Sequence, residues 1–137
     1  MIEIYAALMA VWLLIFRAVL GITLMIHGYP KLKDGAKQAG QWMKSMGIPS
    51  WTAFLAMLLE FFGGILLIAG LLTRIVSLLI ALFMFSNIVM KKSKMKASYI
   101  SMDKPSYEVD MLYLLIAITL AIIGPGAFSI DHLIGLA

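Results

Sequence analysis

From Trp51 to Leu72 the chain carries one charge, Glu60, in an otherwise apolar run of 22 residues. A run of that length without interruption is a helix long enough to cross a bilayer. A carboxylate in the middle of such a helix costs on the order of 3 kcal/mol on translocon-type scales. Glu60 therefore needs a partner, a proton or a function. Composition agrees with a lipid setting. Of 137 residues, 63% are hydrophobic and 13% are charged. A soluble domain is nearer about half apolar and about a quarter charged. This much apolar surface must face lipid or other membrane chains, and one domain over residues 1–137 accounts for the length.

The expected class is all-α, an integral membrane four-helix bundle with an amphipathic segment between its first two spanning helices. The first helix runs from about Ile4 to Ile26 and closes at His27-Gly28-Tyr29-Pro30, within helix bounds of about 4–28. It lacks a basic leader region and a cleavage site, so it is expected to be retained. Arg17 is its interior charge, and Ala10, Arg17, Gly21 and Gly28 fall near one face. Between Tyr29 and Ser50 a short amphipathic helix is expected, capped by Asp34, with Trp42, Met43 and Met46 on the membrane surface. Lys31, Lys33, Lys37 and Lys44 would face headgroups.

The second spanning helix covers about 51–72, with Ala53, Ala56, Glu60, Gly63, Gly64 and Leu67 on one broad face. After a tight Thr73-Arg74 connection, the third covers about 74–90 with Asn87 near its end. Residues 91–104 carry five lysines and are expected to be mobile. The fourth covers about 107–124, a marginal span that begins at Tyr107, Glu108 and Asp110 and stops at Gly124-Pro125-Gly126. The tail from Ala127 is either a short helix capped by Ser129 or a docking segment. Gly21, Gly28, Gly63 and Gly64 are expected to bring helices close together.

Several chemistries are excluded. The sequence has no cysteine, which removes disulfide exchange, thiolate nucleophiles and Fe–S ligation. His27 and His132 would stand at opposite faces, about 30 Å apart, too far to share a haem. Glu108 and Asp110, at i and i+2, face apart on a helix. No haem or metal centre held by this chain alone is expected. The net charge of +4 lies in two lysine-rich loops, which fits topology and anionic headgroups rather than nucleic acid.

Arg17-x3-Gly21 followed by His27-Gly28 and Lys31-Leu32 resembles the first helix of the DoxX family of small membrane proteins. Glu60-x2-Gly63-Gly64, then Gly70 and Thr73-Arg74, is similar to the family's second helix and turn. Gly124-Pro125-Gly126-x2-Ser129-x-Asp131 resembles its C-terminal signature. The resemblance implies a prokaryotic four-helix membrane protein from a family named in the context of archaeal terminal oxidases and thiosulfate:quinone oxidoreductases. Two functions remain open. One is a non-catalytic accessory subunit that stabilises a larger membrane redox complex by lateral helix packing. The other is a quinone-interacting subunit of such an oxidoreductase. The partners expected are the lipid bilayer and other membrane subunits, and the one candidate cofactor, besides lipids, is a quinone.

Three expectations follow from depth and charge. Loop one has four lysines and loop three has five, against Arg74 on the other side. The positive-inside rule then puts both long loops in the cytoplasm and both termini outside a multi-pass cell-membrane protein. Arg17 lies about 15 Å and Glu60 about 13.5 Å from the loop-one face by helical rise. At matching depth they would form a buried ion pair. A quinone head would sit on that cytoplasmic side, among His27, Tyr29, Asn87, Tyr107 and Asp110, above Arg17 and Glu60. His27 and Glu60 would exchange protons with it, and Asn87 and Arg17 would orient it.

Overall fold

The computed structural model describes residues 1–32 and 35–136. The expectations placed on Lys33, on Asp34 as a cap and on the side chain of Lys31 lie outside the described residues. The chain is all-α: α1 (Ile2–Gly28), a 3-10 turn (Tyr29–Leu32), α2 (Gly35–Ser45), α3 (Trp51–Ala69), α4 (Thr73–Ser93), α5 (Glu108–Ile123) and α6 (Ile130–Leu133). No β-strand forms among the described residues. Three helices, α1, α3 and α4, are long and apolar enough to cross a membrane. The 16 residues of α5 rise only about 24 Å.

Two antiparallel pairs build the bundle. α1 packs most extensively on α3, and α4 on α5, with α3 against α4 joining the pairs. The core is a thin apolar column of Leu13, Leu20, Leu24, Leu67, Val76, Ile80, Met84, Ala117 and Leu120. Outside it, Val19, Phe54, Ile75, Leu82, Phe85, Leu115 and Ile122 are exposed. That inside-out apolar surface is what a lipid solvent requires.

Glycines set the register of α1 against α3. A Cβ at Gly21 would lie 2.6 Å from the Gly64 carbonyl oxygen, and one at Gly64 would lie 2.5 Å from the Gly21 carbonyl oxygen. Only two glycines allow that backbone-to-backbone approach. Further along, a Cβ at Gly28 would lie 2.9 Å from the Phe61 nitrogen and 3.2 Å from the Glu60 Cβ. Gly63 points the other way, and a Cβ there would make an ordinary 3.5 Å contact with Val76. The end of α1 thus meets α3 at Glu60, not at Trp51. The first nine residues of α3 (51–59) run past α1 and support α2 and the 3-10 turn instead.

The junction between α3 and α4 on the opposite face is bonded by the C-terminal tail. α3 stops at Ala69 because Gly70 takes a left-handed conformation (φ 72°). Leu72 is left-handed too (φ 54°), a costly conformation for a branched side chain. It is held by Asp131, whose carboxylate accepts from the Leu72 N–H at 2.7 Å and the Thr73 N–H at 2.8 Å. A residue 58 positions downstream therefore caps the start of α4. Ser129 caps α6 by accepting from the His132 N–H at 3.1 Å. The tail is thus both a short capped helix and a docking segment.

Candidate functional site

Arg17 is fully buried, but it does not pair with Glu60. One of its Nη atoms donates to the Leu67 carbonyl at 3.1 Å and to the Ile68 carbonyl at 3.4 Å. The other donates to the Phe128 carbonyl. Asp131 lies near enough to act on the guanidinium electrostatically. The expected ion pair fails because the depth count took Trp51 as level with His27. The packing makes Gly28 level with Glu60, so Arg17 falls beside the far end of α3, about 10 Å along that helix from Glu60. There it adds hydrogen bonds to carbonyls at the end of α3, of which Leu67 also accepts from the Gly70 N–H at 3.1 Å. Arg74 does the same for α5, donating to Ala121, Ile122 and Ile123 at 3.1, 2.6 and 3.2 Å. The two arginines are helix caps at one end of the bundle.

The chemistry gathers at the other end. A cavity of about 470 Å3 opens between α1, α3, α4 and α5, lined by Leu24, His27, Glu60, Phe83, Met84, Asn87, Lys91, Pro105, Ser106, Val109, Asp110 and Tyr113. Four of the residues singled out from the sequence, His27, Glu60, Asn87 and Asp110, converge there from four different helices. Tyr29 does not. It lies on the outer surface with Ile22, Met25, Ile26, Phe61 and Ile68, because the 3-10 turn carries it round to the lipid side of α1. Tyr107 does not line the cavity either. Its ring stacks edge-on against Tyr99 at 5.5 Å and lies under the Lys92 ammonium at 5.6 Å, anchoring the connection between α4 and α5.

Two cavity residues were missed. The segment expected to be basic and mobile begins at Lys91, but α4 continues to Ser93. Lys91 then points inward, bonding Asp110 Oδ2 at 2.6 Å and the Ser106 carbonyl at 3.0 Å. The signal lay in the spacing: Met84, Asn87 and Lys91 stand at i, i+3 and i+7, one helical stripe. Tyr113 is one turn after Asp110 on the same face of α5. Its ring meets the His27 imidazole edge-on, with centroids 6.4 Å apart. The Lys91–Asp110 bridge pairs two opposite charges, and an imidazole, a carboxyl, an amide and a phenol also line the space.

A second, almost wholly apolar pocket of about 330 Å3 adjoins it and shares Phe83 and Asn87 as wall. Met43 and Ile48 line it from α2 and the following turn, with Leu55, Ala56, Leu59 and Met90 and the hydroxyl side chains Thr52 and Ser86.

A model of the DoxX family matches residues 12–92, which is 81 of 137 residues. The chain belongs to the DoxX family. The match takes in Arg17, His27, Glu60, Asn87 and Lys91, and stops short of the α5 wall of the cavity. Two DoxX-type relatives extend further. The chain is 35% identical over 118 residues, 86% of its own length and 83% of the relative's, to a Bacillus subtilis (strain 168) protein named "Putative oxidoreductase CatD". It is 34% identical over 125 residues, 90% of its length and 92% of the relative's, to the Escherichia coli (strain K12) protein named "Inner membrane protein YqjF". No solved structure matches the chain. It is a DoxX-family membrane protein with several apolar helices.

Proposed function

We propose that the cavity receives the head of a quinone and that the chain serves as the quinone-interacting subunit of a membrane oxidoreductase. The observation that carries this reading is the convergence of His27, Glu60, Asn87 and Asp110 on one cavity with an apolar pocket beside it. Its volume falls in the range of about 300–1,000 Å3 usual for small-molecule sites. The flat head would lie between Phe83 and Tyr113. The Asn87 amide, at the wall shared by both pockets, would hold one ring oxygen, and the apolar pocket would take the first part of the tail. Reduction of a quinone to the quinol consumes two electrons and two protons. His27 and Glu60 supply the proton route, since both reach the cavity and both exchange protons by residue type. With no cysteine in the sequence, electrons come from a redox partner subunit. Arg17 has no part in this site.

The oxidoreductase name carried by the Bacillus relative supports a redox setting. The other reading is an accessory subunit without chemistry, which suits the exposed apolar faces of α1, α3, α4 and α5. In that case the cavity groups only satisfy one another. The two separate on quinone-dependent turnover of the assembled complex carrying His27→Ala or Asn87→Leu. The quinone reading expects a loss of about 10- to 100-fold from His27→Ala, in the usual range for removing a proton-transfer group. It expects a raised KM from Asn87→Leu. Normal assembly with unchanged turnover in both sinks it and leaves the accessory role.

Orientation belongs to the same proposal. With all nine lysines lying between Lys31 and Lys44 or between Lys91 and Lys104, the cavity mouth faces the cytoplasm and both termini face outward. The chain has no cysteine of its own, so single cysteines placed at Ser101 and at Glu3 report the sidedness without background. Labelling of Ser101→Cys from outside intact cells would reverse the assignment.

A further inference from the structure

A second polar concavity lies on α2, apart from the Glu60 cavity. It is a groove of about 320 Å3 lined by Lys37, Gly40, Gln41, Lys44, Ser50 and Trp51. Lys37, Gln41 and Lys44 stand at i, i+4 and i+7 and share one face of α2. The start of α3 forms the opposite wall. Glycine at position 40 permits this closeness, because a Cβ there would lie 3.1 Å from the Ser50 carbonyl oxygen. The Thr52 hydroxyl meets the Met43 sulfur at 3.0 Å and fastens the same junction. None of the described lining residues is acidic, and among them two ammonium groups stand beside an amide and a hydroxyl.

The surface continues along α3. Trp51, Phe54 and Leu55 stand at i, i+3 and i+4 and are 62%, 54% and 52% exposed. Along one line the molecule therefore presents cations, then an indole, then bare apolar side chains. A phospholipid presents the same order from phosphate through glycerol to acyl chain, and indoles prefer the middle layer.

We propose that this groove binds the headgroup phosphate of an anionic phospholipid, whose acyl chains lie along Phe54 and Leu55. Lys37 and Lys44 flank the phosphate, and Gln41 and Ser50 donate hydrogen bonds to it. Free phosphate would meet the same two cations, but the apolar track beneath them suits only a lipid. The headgroup groove shares no lining residue with the Glu60 cavity.

The test uses the full-length protein in nanodiscs of equal phosphatidylglycerol and phosphatidylcholine. Trp12→Phe and Trp42→Phe leave Trp51 as the single indole, and one lipid at a time carries brominated chains. Brominated phosphatidylglycerol should quench Trp51 several-fold more than brominated phosphatidylcholine. Lys37→Gln with Lys44→Gln should abolish that preference, since one lysine at a membrane surface is worth about fivefold in attraction. Lys94→Gln with Lys96→Gln, on the other basic loop, should leave it intact, as should millimolar inorganic phosphate. Equal quenching by the two lipids overturns the proposal, as does a preference that survives the Lys37/Lys44 change. If the Lys94/Lys96 change removes it equally, the attraction is diffuse charge and not this groove. If inorganic phosphate removes it, the occupant is free phosphate and the lipid assignment is wrong.

Discussion

Without its guanidinium, position 17 would take the shared donor away from the carbonyls of Leu67, Ile68 and Phe128. It would also leave the Asp131 carboxylate buried without its nearby cation. Breaking one partner of a buried charged set costs about 3–5 kcal/mol, a large part of any small domain's stability. Arg17→Met should therefore unfold at a much lower SDS fraction in a detergent titration. Arg17→Lys should recover only part of the loss, because one ammonium cannot fork between two chain segments. Asp131→Ala should cost about 1–2 kcal/mol as a lost cap. Combined with Arg17→Met it should cost less than the sum, since both changes open the same junction. An additive result would mean the two residues do not share a network. That Arg17 matters was legible, because an arginine inside an apolar helix always needs a reason. Its partner was not, because backbone carbonyls carry no mark in a sequence.

Neighbouring glycines in α3 separate packing from simple flexibility. A methyl group at position 64 would strike the Gly21 carbonyl, which is backbone and cannot rotate away. Gly64→Ala should force α1 from α3 and cost about 1–3 kcal/mol as an overpacking change. Gly63→Ala meets only ordinary contacts and removes a flexible residue from a helix, so it should be neutral or stabilise by up to about 1 kcal/mol. Thermal unfolding of both variants in one detergent checks the pair, and equal effects would show that Gly64 sets no close approach. The spanning helices were readable from apolar run length, and the packing faces of α1 and α3 from their small residues. The sliding register between those two helices was not, because helical rise gives depth only once a common origin is known. The error at Glu60 came from that origin alone. The end of α4 was misjudged for a different reason: lysines tolerate a helix as readily as a loop, and Lys91 found a carboxylate to turn toward.

Across the whole molecule the two ends have different characters. At one end, side chains bond to the backbone of helix ends: Arg17 on α3, Arg74 on α5 and Asp131 on α4. At the other, His27, Glu60, Asn87 and Tyr113 surround open space. A bonded end and a hollow end are the arrangement that the proposed quinone site needs. Four of the cavity residues were visible beforehand because polar groups in apolar helices are few. Tyr113 and Lys91 were not, since their inward direction depends on where α4 stops and α5 begins. The carboxylate that holds Leu72 and Thr73 has a bearing on biosynthesis. A ribosome makes Asp131 last among these parts, nearly sixty residues after the turn it secures. Until then the turn between α3 and α4 waits in the membrane with its amides unmet and Arg17 without Phe128. The turn is secured only once the segment that carries Asp131 has been made. A chain stopped after Gly126 should still insert, and pulse-chase should show it degraded far faster than the full-length protein. Equal lifetimes would mean that the turn is secured without the tail.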